Sequence, residues 1–164
     1  MNQLKKSEYL QIRVSKQQKE IIKSTAKSAG VDMSTWVLQQ VLHSKSQQFL
    51  TILSQFNTLE DSFIFARLHD FLMDCSQADF EQTVSIKPIS KLSDFQINYT
   101  IAMVCHRAYQ LNCSIPNWIN DFPILHEPYF ATSLKNLRLH LLINSPIAFK
   151  QRNIFIDSTL GDRV

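Results

Sequence analysis

The stretch from Tyr9 to Ser44 constrains this chain more than any other, because it describes a structure that cannot be complete by itself. Leu10, Ile12 and Val14 alternate with Tyr9, Gln11 and Arg13, so a β-strand here carries an aliphatic face and a polar face. Ser15 with Gln18 three residues on is a capping-box pattern, which opens a helix by satisfying its first free backbone N–H groups. Gly30 supplies a left-handed helix stop, and Asp32 caps a second helix beginning at Met33. One strand and two helices leave the aliphatic strand face without a neighbour. No second strand lies nearby in the sequence, so a second copy of the chain has to provide it.

The segment Ile12 to Ser15, Ile22 with Ala26, and Gly30, Val31, Asp32 and Ser34 resemble the ribbon-helix-helix family, its antitoxin branch most of all, with a head of the CopG and Arc type. The resemblance covers roughly the first quarter of the chain. It implies an obligate homodimer in which two strands pair into an antiparallel ribbon that enters the major groove of double-stranded DNA, at an operator. The dimer core would then be Leu10, Ile12, Val14, Ile22, Ala26, Trp36, Val37 and Val41. The chemistry of the polar face agrees. Gln11 can pair bidentately with adenine and Arg13 with guanine, and Tyr9 offers a hydroxyl and a flat ring. Phosphates would meet the start of the second helix at Ser34 and Thr35, with Lys16 and Lys19 assisting. Asp32 departs from the family pattern, which more often has Ser or Thr there, and a carboxylate beside a phosphate is unfavourable. The plain alternative is an ordinary edge strand with solvated polar residues.

Charge is unevenly placed. Residues 1–50 carry eight Lys plus Arg against three Asp plus Glu, while residues 51–164 carry nine against eleven. A basic head on a slightly acidic body suits a DNA-binding module joined to a protein-binding one. Three cysteines, Cys75, Cys105 and Cys113, lack any C-x-x-C spacing and favour neither a disulfide framework nor a metal site. No apolar run suits a signal peptide or a membrane span, so the expected setting is the bacterial cytoplasm, nucleoid-associated when DNA is bound.

The expected fold class is mainly α: a ribbon-helix-helix head over residues 1–56 and an α-helical partner-binding domain over 57–164 with a Pro/aromatic loop and a short terminal strand. In the first helix Ile22, Ala26 and Ala29 fall on one arc and Lys16, Lys19, Lys23 and Lys27 on another. Leu38, Leu42, Lys45, Phe49, Ile52, Phe56, Leu59 and Phe63 alternate four and three apart, a heptad seam that predicts a second helix reaching about Gln55. Asn57 and Thr58 are expected to cap a third helix whose Leu59, Phe63, Ala66, Phe71 and Leu72 face a core. A short helix follows within Ser76 to Val84, then a connector around Pro88. Ser93 with Gln96 opens a long helix to about Leu111 that buries Ile97, Ile101, Val104, Cys105 and Ala108. The segment from Cys113 to Phe130 sets Pro116, Pro123 and Pro128 among aromatic rings, as in a loop pinned to a surface. A helix from Ser133 to Asn144 and a strand from Ile154 to Ile156 complete the expected order.

Glycine-rich phosphate loops, H-E-x-x-H and G-x-S-x-G are all missing, the five histidines are scattered, and His126 with Glu127 is the only pair of note. No catalytic residue, cofactor or metal is expected. Trp118, Tyr129, Phe130, Arg138, Phe149 and Arg152 are the candidate partner-binding residues; Arg107 and Arg138 lie beside apolar helix faces, as partners of buried acids or of another protein. Three functions fit. The foremost is an antitoxin that represses its own operon and holds a cognate toxin neutral through its C-terminal domain. The others are a DNA-binding regulator or plasmid mobilisation accessory protein without a toxin, and a small toxin or enzyme localised by its head.

Overall fold

In a computed structural model, residues 11–41, 44–89 and 91–157 are described, the side chains of Ser44 and Asn57 excepted. Tyr9, Leu10, Leu42 and His43, and with them the outer part of the expected strand and the continuity of the second helix, lie outside the described residues. The chain is mainly helical and divides into two compact units, Met1–Leu42 and His43–Val164. That division falls earlier than the boundary after residue 56 drawn from the sequence.

In the first unit, helix α1 spans Lys16–Ser28 and α2 spans Met33–Val41. The capping box at the start of α1 is formed: the Gln18 N–H donates to the Ser15 hydroxyl at 3.2 Å, and the Ser15 N–H donates to Gln18 Oε1 at 2.9 Å. At its end Gly30 adopts φ +70°, and the N–H groups of Val31 and Gly30 return to the carbonyls of Ala26 and Lys27. This paired return satisfies the last carbonyls of α1 and turns the chain toward α2.

The second unit begins with α3, Ser44–Leu53, which packs on α4, Asp61–Met73, and α5, Gln77–Thr83. Phe49, Ile52, Leu53 and Phe56 are buried in its core, so the middle of the heptad seam is inside this unit. Lys45, the polar intrusion, is bonded to Asp79 at 2.7 Å, and the Ser46 hydroxyl donates to the Gln82 carbonyl. A 3-10 turn over Ser54–Asn57 then breaks the seam. Helix α4 consequently starts later than expected, with Glu60 rather than Asn57 or Thr58 at its cap, and its first turn presents another face, while Phe71 and Leu72 pack on the core as expected. Ile64, Phe65, Leu68 and Leu72 are buried, whereas Leu59 and Phe63 are about half exposed.

Helix α6, Asp94–Leu111, is the centre of the unit. Its capping box at Ser93 and Gln96 is formed, and the Gln96 side-chain amide also donates to Asp61. Every residue from Ile97 to Cys105 is buried, so the helix is enclosed on all sides. Arg107 is half-buried and forms no ion pair among the described residues. It donates to the carbonyls of Leu72, Met73 and Cys75, closing the C-terminal end of α4 where the helix dipole favours a cation.

After α6 the chain forms a 3-10 turn over Asn117–Asp121 and a strand β1, Tyr129–Phe130. Helix α7 is shorter than expected, Arg138–Asn144 after a 3-10 turn at Lys135–Leu137; a four-residue helix α8 follows at Ile147–Lys150. Strand β2, Ile154–Phe155, pairs in parallel with β1. Ile154 and Ile156 are buried, and the Ser145 hydroxyl donates to the Ile156 carbonyl at 2.7 Å.

Candidate nucleic-acid interface

The N-terminal unit holds the residues with which nucleic acid chemistry can be done. Gln11 to Ser15 form no strand in the single chain, and all five are exposed, Ile12 at 53% and Val14 at 43%. An isolated extended segment has no ladder to join and does not hold strand geometry by itself. Gln11 and Arg13 alternate with these aliphatic residues, which keeps the polar set together whenever the backbone extends.

Among the described residues of this unit Ala26 is the only buried one. Ile22, Trp36 and Val37 are half-buried, and Val41 is 65% exposed. Two capped helices therefore meet along one seam and leave most of their apolar surface uncovered. A unit of this size rarely stands without a further contact. Of the residues expected in a dimer core, Ala26 is buried, Ile22, Trp36 and Val37 are half-buried, Ile12, Val14 and Val41 are exposed, and Leu10 lies outside the described residues.

Lys16, Lys19, Lys23 and Lys27 are all exposed along α1. At the start of α2, Asp32 is the cap: its Oδ1 accepts from the Thr35 N–H at 3.0 Å and its Oδ2 from the Thr35 hydroxyl at 2.5 Å. Both Thr35 donors named for a phosphate are therefore committed to a carboxylate. Ser34 remains exposed beside them. Lys16 and Lys19 are exposed at the start of α1, whereas the Thr35 donors are taken by Asp32.

The residues named for a protein partner divide. Trp118 and Phe149 are buried in the core of the second unit, and Arg152 is buried beside them. The Trp118 indole N–H donates to the Val84 carbonyl at 2.7 Å, which pins the proline-rich segment to the end of α5. Phe149 stands edge-on to Tyr99 at 5.3 Å. Arg138, Phe130 and Tyr129 stay accessible, with the Arg138 guanidinium over the Phe130 ring at 5.0 Å and Phe130 stacked on Phe155 at 4.9 Å. Sequence spacing marks such rings as ordered, but not which side they face.

His126 and Glu127 are both exposed on the loop before β1. His69 and His106 line a cavity of about 20 Å³ together with Tyr99 and Phe149, room for about one water. Burial pushes the Cys75 and Cys105 thiols up, and both are free, as is Cys113. No helix among the described residues is long and apolar enough to cross a membrane.

This is the architecture of a two-unit, mainly helical protein with a basic, incompletely buried head. Over residues 4–61 the chain is similar to a family described as NikA-like, mobilization protein NikA. The matched region takes in α1, α2 and α3 and ends at the first residue of α4. No curated protein and no solved structure matches the chain.

Proposed function

We propose that this chain is a DNA-binding accessory protein of plasmid mobilisation. Two heads pair their strands through Ile12 and Val14 into a ribbon of the ribbon-helix-helix kind, which offers Gln11 and Arg13 to the major groove. Lys16 and Lys19 hold phosphates on either side, and the second unit engages the enzyme that processes the plasmid. The observation that carries this reading is the similarity to the mobilization family across residues 4–61. The uncovered aliphatic residues of the head support it, because they are what strand pairing would bury. That similarity favours mobilisation over the antitoxin reading; autorepression and a cognate toxin have no comparable support.

The test is genetic and biochemical together. Removing the gene from a plasmid that carries it should reduce transfer to recipient cells by about tenfold or more without arresting growth, and the purified chain should prefer duplex from that plasmid's transfer region over random duplex at the same salt. Growth arrest on loss of the gene, relieved by disabling a neighbouring reading frame, would instead make it an antitoxin. Unchanged transfer with no DNA preference would end both readings.

A further inference from the structure

The second unit contains a buried cation for which DNA binding has no use. Arg152, between α8 and β2, is 9% exposed, and its guanidinium donates to the carbonyls of Phe122 and Ile119, each at 3.0 Å. It forms no ion pair among the described residues, and burial pulls its pKa below the ordinary arginine value. Two neutral carbonyls replace only part of the water a guanidinium gives up, and a buried charge is costly without an opposite one. Those carbonyls use two of its five N–H donors, so three are left for something else.

A cavity of about 510 Å³ opens beside this group. Its volume is in the range of small-molecule and side-chain sites. Ile115 and Ile124 contribute aliphatic surface at 38% and 58% exposure, and Asn120 and Gln151 contribute exposed amides. Among the described residues lining it there is no carboxylate. The wall is thus apolar and amide-bearing, with one positive charge that no carboxylate among its described lining residues offsets.

We propose that this cavity binds a carboxylate carried on a short apolar stem, the anion meeting Arg152 and the stem lying along Ile115 and Ile124. A guanidinium presents a planar fork that matches a carboxylate, and a stem-bearing acid fits the aliphatic wall better than a bare inorganic anion does. Such a group comes either from a free organic acid or from an acidic side chain of a partner protein. The site lies wholly in the second unit, so it stands or falls independently of the DNA-binding role.

Calorimetric titration of the full chain tests it with two pairs of probes: hexanoate against hexanamide, and a capped leucine-glutamate-leucine peptide against its glutamine counterpart. The charged member of at least one pair should bind about tenfold tighter than the neutral one. Discrimination by the first pair identifies a free acid and by the second alone a partner's side chain. Arg152→Met should erase the difference. Should that variant fail to fold, Ile124→Glu, at an exposed position, places a competing carboxylate at the cavity wall and should erase it instead. Equal binding within both pairs, no binding of any probe at millimolar concentration, or discrimination that survives in the folded variant would overturn the proposal.

Discussion

Replacing Ile12 and Val14 together by serine tests whether the head completes itself with a second copy. Fully burying an isoleucine contributes about 3 kcal/mol and a valine about 2. In the single chain Ile12 keeps 53% and Val14 43% of its surface exposed, so pairing has about half of each still to gain. That is about 1.5 kcal/mol for Ile12 and about 0.9 for Val14. Two-fold symmetry counts each contact twice, which gives roughly 5 kcal/mol for the pair of chains. The double variant should therefore weaken the dimer by three to four powers of ten, roughly, in its dissociation constant. Sedimentation equilibrium over a concentration series measures this directly. Arg13 and the lysines are untouched, so net charge is constant, and denaturation of the second unit should be unchanged. A wild-type chain that stays monomeric at micromolar concentration, or a variant whose dimer weakens less than about tenfold, would refute the idea that these side chains are buried by a twin.

Other outcomes follow from the same geometry. Arg13→Ala should relax preference at one base position and cost about 1 to 3 kcal/mol on the preferred duplex, while Lys16→Ala should weaken all duplexes alike and flatten the salt dependence; titrations at several salt concentrations separate the two. Arg107→Ala removes three charge-assisted bonds to the end of α4 and should cost about 2 kcal/mol, roughly 6–8 °C in melting temperature, with Arg107→Lys in between. Tyr99 is buried and its phenol is pushed up to about 12. The folded state thus holds that proton more tightly than the unfolded one, so its contribution is complete below pH 10 or so and is lost between about 10 and 12, up to about 3 kcal/mol. Ultraviolet phenolate titration should show one tyrosine ionising late and together with unfolding.

The parts of this fold that sequence made legible are those fixed by near neighbours. Ser15 with Gln18 and Ser93 with Gln96 are three residues apart, and a cap of that kind needs nothing from the rest of the chain. Gly30 is similar, because the left-handed turn it supports is a property of one residue. The heptad seam failed where it was carried past Phe56, since the 3-10 turn at Ser54–Asn57 resets the helical phase and sends Leu59 and Phe63 outward. The buried face of α6 was visible, but not its enclosure on the opposite side, which comes from packing against elements distant in sequence. Trp118, Phe149 and Arg152 were named for a surface because rings and a cation are common there. Their partners, Val84, Tyr99 and the carbonyls at Ile119 and Phe122, lie too far along the chain for spacing to reveal. Of the candidate interface, spacing made legible that the α1 lysines share an exposed face; the capture of Thr35 by Asp32 is visible only in three dimensions.

The parallel pairing of β1 with β2 has a consequence for biosynthesis. Because Ile154 and Ile156 fill the interior, a growing chain has no finished second unit until residue 156 has left the ribosome. The helices α1 and α2, by contrast, are made of neighbours in sequence and need nothing from the second unit to form. Truncation short of Ile156 should accordingly leave the second unit unfolded while α1 and α2 keep their caps.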